Sequence, residues 1–188
     1  MGRVQCPIER IADAILVIDA QNGDREAFDR LVSRWQKRLW RHAFHLTGVT
    51  DAAWDISQET WLDVVRGLSG LEDPAKFGAW AYRIVSNKAH DWHRRRGREG
   101  AAGAQPEEAH ATVDKPGAHE RATDVHDMLR RLSTPAQVVL NLYYLEGFSL
   151  AEIASILGTP EGTVKSRLHA ARIEFRGHWK ALGREVTT

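Results

Sequence analysis

The sequence predicts an all-α protein: two small helical domains joined by a flexible linker. Three observations lead there. No stretch of the 188 residues sustains the polar–apolar alternation of a half-buried strand. Helix-capping signals recur, above all Ser149-Leu150-Ala151-Glu152 and Thr159-Pro160. Between two well-patterned halves, residues 98–123 (REGAAGAQPEEAHATVDKPGAHERAT) are rich in Ala, Gly, Glu and Pro, with Val113 the single β-branched aliphatic residue. Such a segment buries too little apolar surface to offset its ordering entropy, so it reads as a linker. The domains are then residues 1–97 and 124–188.

Composition bounds the function classes. Hydrophobic residues make up 43% and charged residues 27%, both ordinary for globular domains. Net charge is only +1, but charge is segregated along the chain. Residues 51–73 hold six acids and one base, and residues 83–98 hold six Lys/Arg and one acid, Asp91. A chain balanced overall and polarised locally suggests two partners of opposite charge. Cys6 is the sole cysteine, which rules out an intramolecular disulfide and suits a reducing cytoplasm. The apolar run Ala14 to Ile18 is far too short to span a membrane and lacks the flanks of a signal peptide.

In chain order, the amphipathic stretch Ile8 to Ile18 reads as the first helix. On the helix after Asp51, Trp54, Trp61, Val65 and Leu68 form the expected buried stripe. Asp55, Glu59 and Asp63 follow at i, i+4, i+8 on another face, with Ile56 beside them. Such an acid ladder repels itself, and an exposed Ile56 makes little sense in water, so this face reads as a docking surface rather than solvated helix. After the loop Gly70 to Lys76 (GLEDPAK) comes a helix of opposite polarity. Phe77, Ala81, Ile84, Val85, Lys88 and Trp92 lie along one side; Tyr82, Arg83, Ser86, Asn87, His90, His93 and Arg94 occupy the other. An aromatic ring among cations and amides can stack on an unpaired base while its neighbours hold phosphates. Trp80 also suits a core position, and Arg94-Arg95-Arg96 suits phosphate contact.

Beyond the linker, Thr134-Pro135-Ala136-Gln137 supplies an N-cap, a proline at the first helical position and a capping-box glutamine; the helix runs to Gly147. Ser149 and Glu152 form a second capping box on a helix that ends at Gly158. The last helix begins EGTVKSRLHAAR. Val164, Leu168, Ala171 and Phe175 share its buried stripe, while Gly162, Ser166, His169 and Ala170 lie opposite, flanked by Lys165, Arg167, Arg172 and Arg176. Small residues in the middle with cations at the rim suit a helix lowered into a DNA groove. Two short helices joined by a tight glycine turn make a helix-turn-helix.

These segments carry a family likeness. LEGFSLAEIASILG and GTVKSRLHAAR resemble region 4 of bacterial extracytoplasmic-function (ECF, group IV) sigma factors of the sigma-70 family, and more weakly the LuxR-type response-regulator domain. GDREAFDRLVSRWQKRLWRHAFHLTG from Gly23, TDAAWDISQETWLDVV from Thr50 and FGAWAYRIVSNKAHDWHRRR from Phe77 resemble region 2 of the same family. The likeness spans roughly residues 23–96 and 126–179, in the family's order.

The resemblance implies a sigma factor that binds core RNA polymerase and directs promoter-specific initiation. Asp55, Ile56, Gln58, Glu59 and Leu62 match the family's positions facing the clamp helices of the largest subunit, and Asp63 extends that face; the flap of the second-largest subunit is a further expected contact. Opening and reading of the minus-10 element falls to Lys76, Trp80, Tyr82, Arg83, Ser86, Asn87, His90, Arg94 and Arg95. The loop departs from the family pattern: adjacent acids Glu72 and Asp73 stand where Arg and Ser are commoner. Reading of the minus-35 element falls to Gly162, Thr163, Lys165, Ser166, Arg167, His169 and Arg172. An anti-sigma factor is an expected partner. No cofactor and no catalytic role are implied.

Two rivals remain open at this point. A helix-turn-helix regulator that does not replace sigma would leave the acidic face idle. A histidine-metal enzyme would use His42/His45 or His90/His93, yet neither pair has a nearby Cys or a clear third ligand. Geometry permits the sigma reading. The 26-residue linker reaches about 85 Å at about 3.3 Å per residue, or about 25 base pairs.

Overall fold

The computed structural model describes residues 7–100, 129 and 131–181. Among them are helices and turns and no strand. The helices are α1 (Pro7–Gln21), α2 (Arg25–Thr47), α3 (Thr50–Gly67), α4 (Phe77–Gly100), α5 (Thr134–Leu140), α6 (Leu150–Leu157) and α7 (Glu161–Ala181). Short 3₁₀ turns (Leu68–Gly70, Pro74–Lys76) join α3 to α4, and a π-helical turn (Asn141–Leu145) extends α5. Helix α4 runs through the first three positions of the expected linker; residues 101–123 lie outside the described residues.

Local chemistry sets these boundaries. Asp24 caps α2 by accepting from the backbone N–H of Glu26 (2.8 Å) and Ala27 (3.1 Å). Gly48, at φ +69°, ends it in the left-handed conformation that glycine adopts cheaply. Ser149 and Glu152 make the expected capping box on α6. The expected cap of α5 differs. Ser133 occupies the N-cap, and Gln137 Nε2 turns back to donate to the Leu132 carbonyl (2.8 Å) instead of closing a capping box.

In the N-terminal half, Leu31, Trp35, Leu39 and Ala43 of α2 form the buried stripe on which α1, α3 and α4 pack. Trp35 meets Phe77 edge-on at 5.4 Å. A Cβ on Gly78 would stand 2.5 Å from the Trp35 ring, so only glycine lets α4 approach so closely. Gln21 Nε2 donates to the carbonyls of Leu68 (2.8 Å) and Leu71 (2.9 Å), fastening the loop before α4 to the end of α1. In the C-terminal half, Val164, Leu168 and Ala171 of α7 close against α5 and α6 as expected.

The halves also dock on each other, which the sequence did not indicate. Helix α6 packs along α4, and α5 against α2, so both halves contribute to one continuous core. Phe148 meets Tyr82 edge-on at 5.3 Å. Arg38 donates through Nε (2.7 Å) and Nη2 to one Glu146 carboxylate oxygen.

Candidate functional site

Three surfaces carry the expected site residues, and α3 presents the first. The buried side of α3 is not the expected stripe. Ala52, Ala53, Ile56, Ser57, Thr60, Val64 and Leu68 face inward, whereas Trp54 is 44% and Val65 60% exposed. Small residues decide the phase. Ala53, Ser57 and Thr60 let α3 lie close to its neighbours, and Thr60 returns its hydroxyl to the Ile56 carbonyl (2.7 Å). Trp54 rests on Trp40 at 5.5 Å, and Trp61 is half-buried against Phe28.

Ile56 is therefore a correction. It is 4% exposed and belongs to the core, not to the acid ladder. The apolar company of the acids comes from Leu62, 57% exposed, with Val65 and Trp54. At 100° per residue, Trp54, Val65, Gln58, Leu62, Asp55, Glu59 and Asp63 follow one another around a single exposed arc, apolar at one end and acidic at the other. Lys88 of α4 bridges the acidic end, 2.7 Å from Asp63 and 3.3 Å from Glu59. Burial would lower the Lys88 pKa, but the hydrogen bonds and charges of Asp63 and Glu59 outweigh it and raise the value. Sequence reading had placed Lys88 among apolar residues; its position one helix away from the acids was the hidden signal.

Helix α4 and its preceding loop present the second surface. Lys76, Arg83, Asn87, His90, Arg94 and Arg95 are exposed, and Trp80 is half-buried with its ring 6.1 Å from Phe77 and against the bare Cα of Gly67. Lys76 pairs with Asp73 (3.2 Å) and Arg94 with Asp91 (2.8 Å), so two of these cations are partly neutralised. Asp73 also caps the Pro74–Lys76 turn, which gives one of the loop's unexpected acids a structural task.

Tyr82 and Ser86 are further corrections. Both are fully buried. Ser86 turns inward to a hydrogen bond with His42 Nε2 at 3.0 Å. Tyr82 packs edge-on against Trp35 (6.2 Å), His42 (4.8 Å) and Phe148. Its hydroxyl makes no hydrogen bond of normal geometry. Burial, reinforced by the Glu146 carboxylate, pushes its pKa well up. His42 is equally enclosed, and burial, with His45 and His90 adding to it, lowers its pKa to about 3. It is a neutral core histidine. Among the described residues no group of three or more His, Cys, Asp or Glu is arranged to hold a metal.

The third surface is the free side of α7. Gly162, Lys165, Ser166, Arg167, His169 and Arg172 are exposed, with Thr163 half-buried. Gly162, Lys165, Ser166, His169 and Arg172 border an open hollow of about 460 Å³ that Tyr143, Leu150 and Leu168 also line. Arg172 is anchored: its Nε donates to Tyr144 Oη (2.9 Å), and its guanidinium lies over the Tyr143 and Tyr144 rings at 5.5 and 5.6 Å. These contacts fix the position of the guanidinium at the rim of the hollow.

Comparisons with known proteins place the chain in a family. Residues 31–99 match the family model "Sigma-70 region 2" and residues 122–174 match "Sigma-70, region 4". The ECF RNA polymerase sigma factor SigM of Mycobacterium tuberculosis is 33% identical over 165 residues, covering 86% of this chain and 81% of that protein. The sigma factor RpoE, solved with the anti-sigma factor NepR from Bartonella quintana, superposes with a TM-score of 0.67 at 26% identity, covering 81% of this chain and 96% of that one. CnrH, solved with the cytosolic domain of CnrY, gives a TM-score of 0.59 at 27% identity over 90% of this chain and 98% of that one. With two sigma-70 regions in order and a relative this similar along most of its length, the chain belongs to the sigma-70 family as an ECF sigma factor, which directs RNA polymerase to promoters.

Proposed function

We propose that the three surfaces divide the work of promoter-directed initiation. The arc of α3 docks on core RNA polymerase: Asp55, Gln58 and Glu59 meet a basic partner helix while Leu62 and Val65 bury against its apolar side. The partner is the clamp helices of the largest polymerase subunit, and the C-terminal half meets the flap of the second-largest. Lys76, Trp80, Arg83, Asn87, His90, Arg94 and Arg95 engage the minus-10 element as its strands part. A base leaving the duplex loses a few kcal/mol of stacking, and an aromatic neighbour with adjacent cations recovers part of it. Helix α7 enters the major groove at the minus-35 element, with Lys165, Arg167 and Arg172 on phosphates and Ser166 and His169 toward base edges.

The observation that carries this reading is the exposure, in one chain, of an acidic-apolar arc on α3 and a cation-rimmed, small-residue face on α7. A plain DNA-binding regulator explains only the second. Sigma factors are not enzymes, and this chain performs no catalysis in this reading. Among the described residues no helix is long and apolar enough to cross a membrane, which supports action in the cytoplasm beside polymerase. An anti-sigma factor is a further expected partner, as NepR is for the similar sigma factor RpoE.

The test is transcription in vitro with bacterial core polymerase on fragmented genomic DNA of the source organism. Discrete start sites appear only with the protein and vanish with Asp55→Arg/Leu62→Lys, a pair that leaves the Lys88 bridge intact. Start sites indifferent to that pair would refute the assignment of the arc; absence of new start sites with intact DNA binding would favour the regulator.

A further inference from the structure

We propose that Tyr144, with Tyr143 beside it, is a positioning residue for duplex binding. The two tyrosines hold Arg172 so that the outer edge of its guanidinium, Nη1 and Nη2, takes a DNA phosphate with its charge intact. The proposal rests on the assignment of the α7 face to duplex DNA and adds to that face two residues from another element.

Tyr143 and Tyr144 stand in the π-helical turn Asn141–Leu145, where the backbone N–H of Glu146 reaches back to the Asn141 carbonyl (3.0 Å). Consecutive residues of an α-helix do not face one partner; the wider i→i+5 turn brings these two together. Their rings pack edge-on with centroids 4.9 Å apart. Arg172, 28 positions beyond Tyr144, lies over both rings and donates from Nε to Tyr144 Oη. Its Nη1 and Nη2 groups have no acceptor among the described residues. Arg172 and Tyr143 line the same hollow as Lys165, Ser166 and His169, so the free edge stands at the face assigned to DNA.

Tyrosine suits this task for a physical reason. A long arginine side chain loses rotamer freedom when it binds, and one already held loses less. A carboxylate would also hold the guanidinium, but it would cancel the charge that phosphate needs, as Asp73 does in part for Lys76 and Asp91 for Arg94. Ring faces and one hydroxyl lone pair fix the group while leaving it a full cation. With Nε engaged by the hydroxyl, the Nη1–Nη2 edge is the one presented. Its two parallel N–H groups match two oxygens of one phosphate.

The test measures affinity of the full chain for a random-sequence duplex of about 20 base pairs across a series of salt concentrations. Arg172→Gln removes one phosphate contact: affinity falls about five-fold at low salt, and the slope of log affinity against log salt shrinks by about 0.9. Tyr144→Phe keeps the ring and the arginine charge and removes only the acceptor; affinity falls about two- to three-fold. In the Arg172→Gln background Tyr144→Phe causes no further loss, the mark of a residue that acts through Arg172. Tyr143→Leu/Tyr144→Leu approaches the loss seen with Arg172→Gln; if that double variant does not fold, Tyr144→Phe carries the test alone. A tyrosine with only a structural role would lower the urea midpoint and leave the affinity of the folded protein unchanged, which overturns the proposal. Equal losses from Tyr144→Phe in both backgrounds overturn it too, because the tyrosine then acts without Arg172. If Arg172→Gln has no effect while Lys165→Gln/Arg167→Gln weakens binding, Arg172 meets no phosphate and the proposal falls alone. If neither weakens binding, the assignment of α7 to duplex DNA fails and takes the proposal with it.

Discussion

Helices α4 and α7 both carry cations among small and polar residues, and the sequence suggests DNA contact for both, yet they sit differently. Helix α7 is buried on one stripe, Val164, Leu168 and Ala171, and its opposite side is open. Helix α4 is packed by α2, α3 and α6, so its buried positions spread over Phe77, Ala81, Tyr82, Val85, Ser86 and Ala89. A helix with neighbours on one side obeys its hydrophobic period. A helix with neighbours on several sides buries polar residues too, Ser86 with His42 as its hydrogen-bond partner and Tyr82 among the rings of Trp35, His42 and Phe148.

The most severe way to break this contrast is to place the same cation on both helices. Ser86→Arg would strengthen DNA binding if residue 86 faced DNA. Buried as it is, the charge has no partner and no room, and the loss of stability is at least about 3 kcal/mol. Ser166→Arg on α7 changes stability by no more than about 0.5 kcal/mol and alters duplex binding instead. Urea unfolding of both variants checks the pair; equal stability losses would refute the contrast.

The buried polar pair in α4's neighbourhood gives a pH signature that α7 lacks. His42 titrates at about 3 in the fold against 6.5 ordinarily. As pH falls, the unfolded chain binds this proton first, so the stability tied to neutral His42 is complete above about pH 6.5 and is lost progressively toward pH 3. Within that window the slope is up to about 1.4 kcal/mol per pH unit. His42→Phe is destabilising overall, because Ser86 loses its partner, but its stability falls less steeply between pH 6.5 and 4.5. Denaturant midpoints for both proteins across that range give the comparison; parallel curves would show that His42 is protonated in the fold.

A smaller effect probes the element that covers α4. Ser149→Ala removes the hydroxyl that accepts from the Glu152 backbone N–H (3.2 Å) and caps α6. The expected cost is about 1 kcal/mol, read as earlier hydrogen exchange in α6 than in α7.

How far the sequence spoke depended on distance along the chain. The α7 stripe, the α6 capping box and the exposed Asp55 and Glu59 follow from spacings within one or two turns, and the structure has them so, whereas Gln58 and Leu62 entered through the family resemblance. The phase of α3 was misread because bulky Trp54 and Val65 attracted the inward assignment; tight packing favoured Ala53, Ser57 and Thr60. Tyr82 and Ser86 were misplaced because a polar side chain gives no sign of a partner on another helix. The Arg38–Glu146 pair lies 108 positions apart, beyond any local pattern.

Lys88 shows what such a hidden partner does to a functional surface, and it supports the mildest prediction. Its ammonium cancels part of the acidic end of the α3 arc while leaving Asp55 outside the bridge. Lys88→Met keeps most of the stem's packing and removes the charge. The two ion pairs, with Glu59 and Asp63 both well exposed, contribute no more than about 1 kcal/mol each, so the fold tolerates the change. The arc becomes one unit more negative, which speeds encounter with a basic helix and steepens its salt dependence. Affinity for core polymerase therefore rises about two- to five-fold at low salt, each factor of ten being about 1.4 kcal/mol, and the gain shrinks as salt is raised. A drop in affinity at every salt concentration would mean that Lys88 orders Glu59 and Asp63 for docking, and that the arc works by fixed geometry more than by net charge.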